Sequence, residues 1–146
     1  MNRQSGTTLL ELLGVLALLG IAVVVVAIKM QSMGNPLDIS TSLLEGEFRA
    51  ARLNAIATMS AYRVSPATPT AIRAEKAATC SATTWTVDAS LNNTLSTGVT
   101  MSPSSWSVCY GSRGIATANV VVTLAHSQYG SRRVEVLVGG ASRVLP

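Results

Sequence analysis

The sequence predicts an α+β protein in which a long N-terminal helix carries a C-terminal, antiparallel β-rich globular domain. Three observations lead to this fold class. An apolar run without polar side chains extends from Leu12 to Ile28, an amphipathic pattern follows it, and after Tyr62 short β-type runs alternate with stretches rich in Ser, Thr, Pro and Gly. With 146 residues, the chain has room for one compact domain and one accessory element, which disfavours a two-domain enzyme.

The apolar run is long enough to cross a bilayer as a helix. It reaches about 20 residues when it is extended to Leu9 across the single acid Glu11, and about that length spans the hydrocarbon core. A buried core helix is the alternative, but a domain of this size has no core that would surround a helix apolar on every side. A cleaved secretory signal has a shorter apolar stretch. The sequence therefore predicts a membrane helix.

A second helical stretch is expected after the membrane helix. The first helix is predicted to run to about Met33, where Gly34-Asn35-Pro36 favours a kink, because proline lacks a backbone donor and restricts the residue before it. Asp38 or Ser40 is predicted to cap the next helix. Its apolar stripe comprises Leu44, Phe48, Ala51, Ala55, Met59 and Tyr62. This stripe is predicted to lie on the core of the globular domain.

The remainder of the chain is predicted to form short strands. Alternation is clearest in Arg133-Val134-Glu135-Val136-Leu137-Val138, and glycine-containing turns separate the later runs. The last two strands are expected to form a hairpin. Segments 66–82 and 88–97 are expected to be loops of undefined structure. The predicted strands are Tyr62–Ser65, Thr83–Val87, Gly98–Met101, Ser105–Tyr110, Asn119–Leu124, Arg132–Val138 and Ser142–Leu145.

The two cysteines, Cys80 and Cys109, both follow the predicted membrane helix. If that part of the chain is exported, an oxidising compartment favours a disulfide between them. Two buried free thiols are the alternative. Their wide spacing and the single histidine of the chain, His126, do not support a zinc site.

The stretch Gly6-Thr7-Thr8-Leu9-Leu10-Glu11 resembles the leader junction of type IV pilins and type II secretion pseudopilins. In that family a glycine ends the leader, cleavage follows it, and a glutamate is the fifth residue of the mature chain, ahead of an apolar helix. The resemblance implies that a prepilin peptidase removes residues 1–6 on the cytoplasmic side and that Thr7 becomes the N-terminus. Thr7 stands where the family usually has Phe, a difference that bears on N-terminal methylation of Thr7 more than on cleavage.

Glu11 has a physical role in this interpretation. An acid deep in a membrane helix costs up to about 2.5–3.5 kcal/mol, so it is retained where a partner compensates. The resemblance implies that the partner is the Thr7 amine of a neighbouring subunit, which would set the axial register of assembly. A glutamate that only reaches the lipid headgroups is the alternative.

A second resemblance extends over most of the chain. The run Phe48-Arg49-Ala50-Ala51-Arg52, the later Tyr62-Arg63-Val64-Ser65 and the Val-rich strands near the C-terminus are similar to the H-type minor pseudopilins and related minor pilins, the GspH/FimT group. This implies a structural subunit, inserted in the inner membrane with its C-terminal domain on the extracytoplasmic side, which assembles with other pilins into a filament. The implied domains are a leader at 1–6, a transmembrane and assembly helix at 7–33, a kink and amphipathic helix at 34–62, and a β-rich head at 63–146.

Some relatives in this group bind DNA through a basic C-terminal motif of glycine followed by paired arginines. This sequence matches the motif only in part: Gly139-Gly140 is followed by the single Arg143, and Arg132 and Arg133 lie on the neighbouring strand. The net charge falls from +4 to +3 when Arg3 leaves with the leader, which is modest for a nucleic-acid binder. Cations that protect strand edges from aggregation explain Arg132 and Arg133 equally well. DNA contact in an uptake pilus therefore stays as an alternative function.

The sequence contains no motif for catalysis, for a cofactor or for a metal ion. Its seven acids and single histidine do not form a recognisable nucleophile–base set, and a phosphate-binding loop is lacking. His126 is expected in a solvent-exposed loop. The remaining alternative is a single-span membrane-anchored binding domain outside any filament, which would not need the Gly6 and Glu11 arrangement.

Overall fold

The computed structural model describes residues 12–17, 20 and 34–145. The chain divides into two compact units, Met1–Asn35 and Pro36–Pro146. In the first unit, residues 12–17 and 20 are helical and exposed. The rest of the predicted 7–33 helix lies outside the described residues. Within the described ranges, no helix is both long enough and apolar enough to cross a membrane.

The second unit begins with helix α1, Pro36–Ala57. Proline suits the first helical position, since the backbone N–H that it lacks would have no partner within the helix. Asp38 then lies in the first turn, where the helix dipole favours a negative charge. The predicted capping role of Asp38 or Ser40 is wrong, because both lie inside the helix. Ser40 is buried, and its Oγ accepts a hydrogen bond of 3.0 Å from the Ser96 backbone N–H.

One face of α1 carries the predicted apolar stripe as far as Ala55. Leu44, Phe48, Ala51 and Ala55 are all fully buried. The last two predicted members of the stripe do not belong to it. The helix ends at Ala57, Met59 is 82% exposed with a φ of +49°, and Tyr62 lies in the first strand. The helical spacing of apolar residues in the sequence therefore extends past Ala57, where the helix itself ends.

Two antiparallel sheets follow α1. The first sheet has the order β3-β2-β1-β6, and β4 also pairs with β2; the second has the order β5-β7-β8-β9. A short 3₁₀ helix, Ala89–Leu91, separates β3 from β4. The strands are β1 Ala61–Thr68, β2 Ala71–Ala77, β3 Thr86–Val87, β4 Asn93–Thr94, β5 Val99–Ser102, β6 Val108–Tyr110, β7 Val120–His126, β8 Gly130–Val136 and β9 Ser142–Leu145.

Most strands overlap the predicted ones, but β4 and β2 were missed. Strand β4 and the 3₁₀ helix lie in segment 88–97, which was expected to be a loop. Strand β2 is the longer omission. It lies within segment 66–82, which the sequence suggested to be a loop, and it pairs with β1 from Ala61↔Ala77 to Thr68↔Ala71. Its three alanines give little β propensity, so its structure depends on pairing with β1 rather than on local preference. The predicted C-terminal hairpin is confirmed, with β8 and β9 paired from Arg133↔Leu145 to Val136↔Ser142.

The core lies between α1 and the inner faces of the two sheets. Phe48 meets the Trp106 ring edge-on, with 5.6 Å between centroids. Each large aliphatic side chain buried here stabilises the fold by about 1.5–3 kcal/mol. Fully buried strand residues of this core include Val64, Ile72, Val99, Val108, Val122, Leu124, Val134 and Val136.

Candidate functional site

The residues predicted for cleavage and assembly, Gly6, Thr7 and Glu11, lie outside the described residues. Their roles stay predictions.

A disulfide between Cys80 and Cys109 is present in the structure, with 5.9 Å between the Cα atoms. Cys109 lies on β6, opposite Arg63 of β1, on the outer face of the first sheet. Cys80 lies in the connection from β2 to β3. The disulfide therefore fastens this connection to the outer face of the sheet.

A charged cluster lies on the same outer face. Arg63 donates hydrogen bonds from Nε and Nη2 to Glu75 Oε2 at 3.0 and 2.5 Å, and its guanidinium stacks over the Trp85 ring at 4.2 Å. Arg73 also approaches Glu75, at 3.5 Å. The buried Glu75 carboxylate is thus satisfied by neighbours in the sheet, which gives this cluster a structural role.

The three arginines predicted for nucleic-acid contact do not form one surface. Arg143 is directly opposite Glu135, two residues from Arg133, so these side chains share the outer face of the second sheet. Arg132 lies on the other side of β8, the side of Val134, and its Nε is 3.4 Å from Asp38 Oδ1 of α1. Arg143 pairs with Glu135 at 2.6 Å. The charges of Arg132 and Arg143 are therefore locally compensated by acids.

His126 ends β7 and is half-buried, which corrects its predicted place in an exposed loop. Its Nδ1 accepts a hydrogen bond of 3.1 Å from the Gln128 backbone N–H, and its ring packs on Tyr129 with 4.9 Å between centroids. Gly98, with a φ of +82°, lies against the ring, and a Cβ there would approach Nε2 to 2.7 Å. These contacts give His126 a structural role at the end of β7, next to the turn that leads to β8. In the part of the chain that the structure describes, no group of three metal-ligating side chains occurs.

A concave surface lies between α1 and the turn that joins β8 to β9. We call it the Arg52 groove. It has a volume of about 490 Å³ and lies in the second unit of the chain. Its walls are mainly apolar on the helix side and backbone on the turn side. The residues that line it are Arg49, Arg52, Leu53, Ile56, Gly140, Ala141 and Ser142.

Two polar atoms of this groove are buried without a hydrogen-bond partner. They are Arg52 Nε and Ser142 Oγ. Gly140, with a φ of +81°, allows the guanidinium to lie close to the turn, since a Cβ there would come within 2.9 Å of Arg52 Nε. The Tyr110 hydroxyl is likewise buried without a partner. Burial raises the pKa of Tyr110, whereas the nearby Arg52 charge acts in the opposite direction.

Sequence reasoning missed this groove. The sequence pointed to Arg52 only within the run Phe48–Arg52 that resembles the GspH/FimT group, and to Ser142 only as the start of the last strand. The only local signal is Gly139-Gly140, which indicates a tight turn, and nothing in it specifies that the turn meets the helix at Arg52.

The fold, a helix packed on antiparallel sheets, agrees with the predicted α+β class and is similar to that of a solved minor pilin and a solved minor pseudopilin. Two solved proteins show the similarity. The type IV minor pilin FimU of Pseudomonas aeruginosa is 12% identical, with a TM-score of 0.59 over 77% of this chain and 90% of that one. The minor pseudopilin EpsH from the type 2 secretion system of Vibrio cholerae is 15% identical, with a TM-score of 0.59 over 76% of this chain and 97% of that one.

These similarities are visible in the structure and not in sequence comparison. No protein-family model matches the chain, and no curated protein matches it significantly. At 12–15% identity, the likeness establishes the fold.

Proposed function

We propose that this chain is a minor structural subunit of a type IV pilus or a type II secretion pseudopilus. The observation that carries the proposal is the fold of the head. It covers 90% of the solved chain of a minor pilin and 97% of the solved chain of a minor pseudopilin. The resemblance of residues Gly6–Glu11 to a prepilin leader junction supports the same function. This support is independent of the fold, because these residues precede the head and do not take part in the structural similarity.

In this proposal the N-terminal helix mediates assembly, and the globular head is carried on that helix. Prepilin peptidase cleaves after Gly6, the helix beginning at Thr7 stays in the inner membrane lipid, and the head lies on the extracytoplasmic side. Glu11 then pairs with the Thr7 amine of a neighbouring pilin or pseudopilin as the subunit enters the filament. The pairing compensates the cost of an acid in an apolar setting.

An extracytoplasmic head agrees with the chemistry of its cysteines. A disulfide such as Cys80–Cys109 persists in oxidising compartments and is rare in the cytosol. The head's many Ser, Thr and Ala residues and its few aromatic ones give a small core, so a covalent link contributes a large share of its stability.

Nothing among the described residues favours the DNA-binding alternative. Arg132 and Arg143 each have an acidic partner, and they lie on opposite faces of the second sheet. A nucleic-acid surface gains its affinity from several cations that face one backbone.

Filament incorporation of a Glu11→Leu variant tests the proposal. The substitution removes a charge from an apolar segment, so membrane insertion should be unimpaired or easier. Incorporation should fail, because the contact that sets the register is lost. The measurement is the amount of protein in sheared filaments, or cross-linked to partner pilins, after cleavage and membrane insertion have been verified. Leu13→Val, a neutral change in the same segment, is the matched control. Wild-type incorporation of Glu11→Leu would remove Glu11 from the mechanism, and absence of the wild-type protein from every filament would refute the proposed function.

A further inference from the structure

We propose that the Arg52 groove binds a carboxylate flanked by an apolar side chain, supplied by the head of a neighbouring pilin-type subunit. The choice of partner rests on the proposed function. The chemistry of the ligand rests on the groove alone.

The groove offers an anion site that is built but incomplete. Arg52 Nε and Ser142 Oγ are shielded from solvent and have no hydrogen-bond partner. Buried polar atoms are nearly always satisfied. Because both atoms are shielded by the walls of the groove, a ligand would supply their acceptors after the Arg52 and Ser142 side chains turn toward it. Arginine binds carboxylates through parallel N–H donors, and a serine hydroxyl provides a further donor.

The walls of the groove favour an apolar neighbour next to the carboxylate. Leu53 is 64% exposed and Ile56 44% exposed on the helix side, and Ala141 faces them from the turn. The groove therefore places exposed aliphatic side chains next to the Arg52 cation. A surface of this kind is complementary to an acidic residue that is adjacent to an aliphatic one. The volume of about 490 Å³ is in the range that accommodates a short peptide segment.

The charge balance around the groove favours a single anion over a polyanion. Arg49 pairs with Glu45 at 2.7 Å and Arg143 pairs with Glu135 at 2.6 Å. Among the described residues, Arg52 has no acidic partner. One uncompensated cation matches one carboxylate, whereas a nucleic-acid strand presents a row of phosphates and binds to several cations. A protein partner is therefore the occupant that the groove fits.

The ligand chemistry can be tested with capped dipeptides on the full-length protein in detergent. The probes are acetyl-Leu-Asp-amide and its uncharged counterpart acetyl-Leu-Asn-amide, with backbone amide NMR shifts as the readout. We expect the Asp peptide to shift amides along Leu53, Ile56 and Gly140–Ser142. The Asn peptide should bind at least about tenfold more weakly, since it lacks the charge.

Three variants make the readout specific. Arg52→Gln should weaken binding of the Asp peptide by about tenfold or more, and Arg52→Lys should retain part of it, because lysine keeps the charge without the planar fork. Arg73→Gln, on β2 of the first sheet and outside the lining of the groove, should bind the peptide like the wild type. Amide shifts outside the groove report whether each variant is folded. Equal binding of both peptides, or wild-type binding by folded Arg52→Gln, overturns the carboxylate site. Stronger binding of a dT12 oligonucleotide at these amides would instead assign the groove to nucleic acid.

The partner is tested by incorporation into filaments. Arg52→Gln should reduce the yield in sheared filaments severalfold, whereas Arg73→Gln, outside the groove, should not. Photo-cross-linking from position 53 should capture a peptide of another pilin-type subunit that contains Asp or Glu beside an apolar residue. If the dipeptide binds but Arg52→Gln assembles normally, the assignment to a filament neighbour is wrong. If the wild-type protein never enters a filament, the proposed function fails, and the dipeptide titration still decides whether the groove is a carboxylate site.

Discussion

Asn93 Nδ2 donates a hydrogen bond of 2.5 Å to Glu47 Oε1 and thereby joins β4 to α1 across 46 positions of sequence. Glu47 is 7% exposed, and its other oxygen, Oε2, is buried without a partner. Burial raises the pKa of Glu47, the Asn93 hydrogen bond opposes this shift, and the charge of Asp88 adds to it. An acid whose pKa is raised in the folded state stabilises the protein when it is protonated.

The first prediction concerns the pH dependence that follows. The contribution of Glu47 should be fully present below its unfolded pKa, near 4.5, and be lost as the pH rises through the higher folded value. Glu47→Gln does not titrate, so its free energy of unfolding relative to wild type should increase from pH 4 to pH 7. Denaturant titrations at the two pH values measure this. Asn93→Ala should act in the opposite direction and cost about 1.5–3 kcal/mol at pH 7, since it removes a hydrogen bond to a charged group. A constant difference between Glu47→Gln and wild type at both pH values would contradict the prediction.

The disulfide should contribute strongly to the stability of the head. Cys80 and Cys109 are 29 positions apart, and closing a loop of this length stabilises the folded state by about 3–4 kcal/mol in the chain-entropy model. The double variant Cys80→Ser/Cys109→Ser should lose this amount in denaturant titration, and reductant should lower the stability of the wild type but not of the variant. Peptide mapping without reductant should give one cross-linked pair. Two thiols open to alkylation in protein from the cell envelope would rule the pairing out.

Phe48 should be among the costliest positions of α1. Its side chain is fully buried and packs edge-on against Trp106, so Phe48→Ala leaves a cavity and should cost about 3–5 kcal/mol. Leu53→Ala is the matched control on the same helix. Leu53 is 64% exposed, and its truncation should change the free energy of unfolding by no more than about 0.5 kcal/mol. Similar losses at the two positions would show that α1 does not bury the face described here.

The leader junction gives a prediction that is independent of the head. In cells with an active prepilin peptidase, mass spectrometry should find a mature chain that begins at Thr7. Gly6→Val should retain residues 1–6, because the residue at the end of the leader directs cleavage. Gln4→Ala, inside the leader, should be processed normally. A native chain that keeps Met1 in such cells would exclude this junction.

The sequence alone determined the elements whose buried residues recur at a regular spacing along the chain. Leu44, Phe48, Ala51 and Ala55 recur at helical spacing, and burial of one helix face requires that spacing. The β8–β9 hairpin was predictable for the same reason, since alternation and a Gly139-Gly140 turn are both local signals. The leader motif also belongs to the sequence alone, because it is defined by the identity and order of neighbouring residues.

Tertiary structure decided the features that depend on partners far apart in the chain. Strand β2 is rich in alanine and forms because β1 pairs with it, and the hydrogen bond from Asn93 to Glu47 has no local signature. The Arg52 groove exists because the Gly140 turn comes to lie against the guanidinium of a helix nearly ninety positions earlier. Arg49 and Arg52 lie on the same helix. The acidic partner of Arg49 is Glu45, four residues earlier, so that pair is a local feature of the sequence. Only packing buried Arg52 Nε without a partner, because this environment depends on which elements meet and not on the residue's own segment.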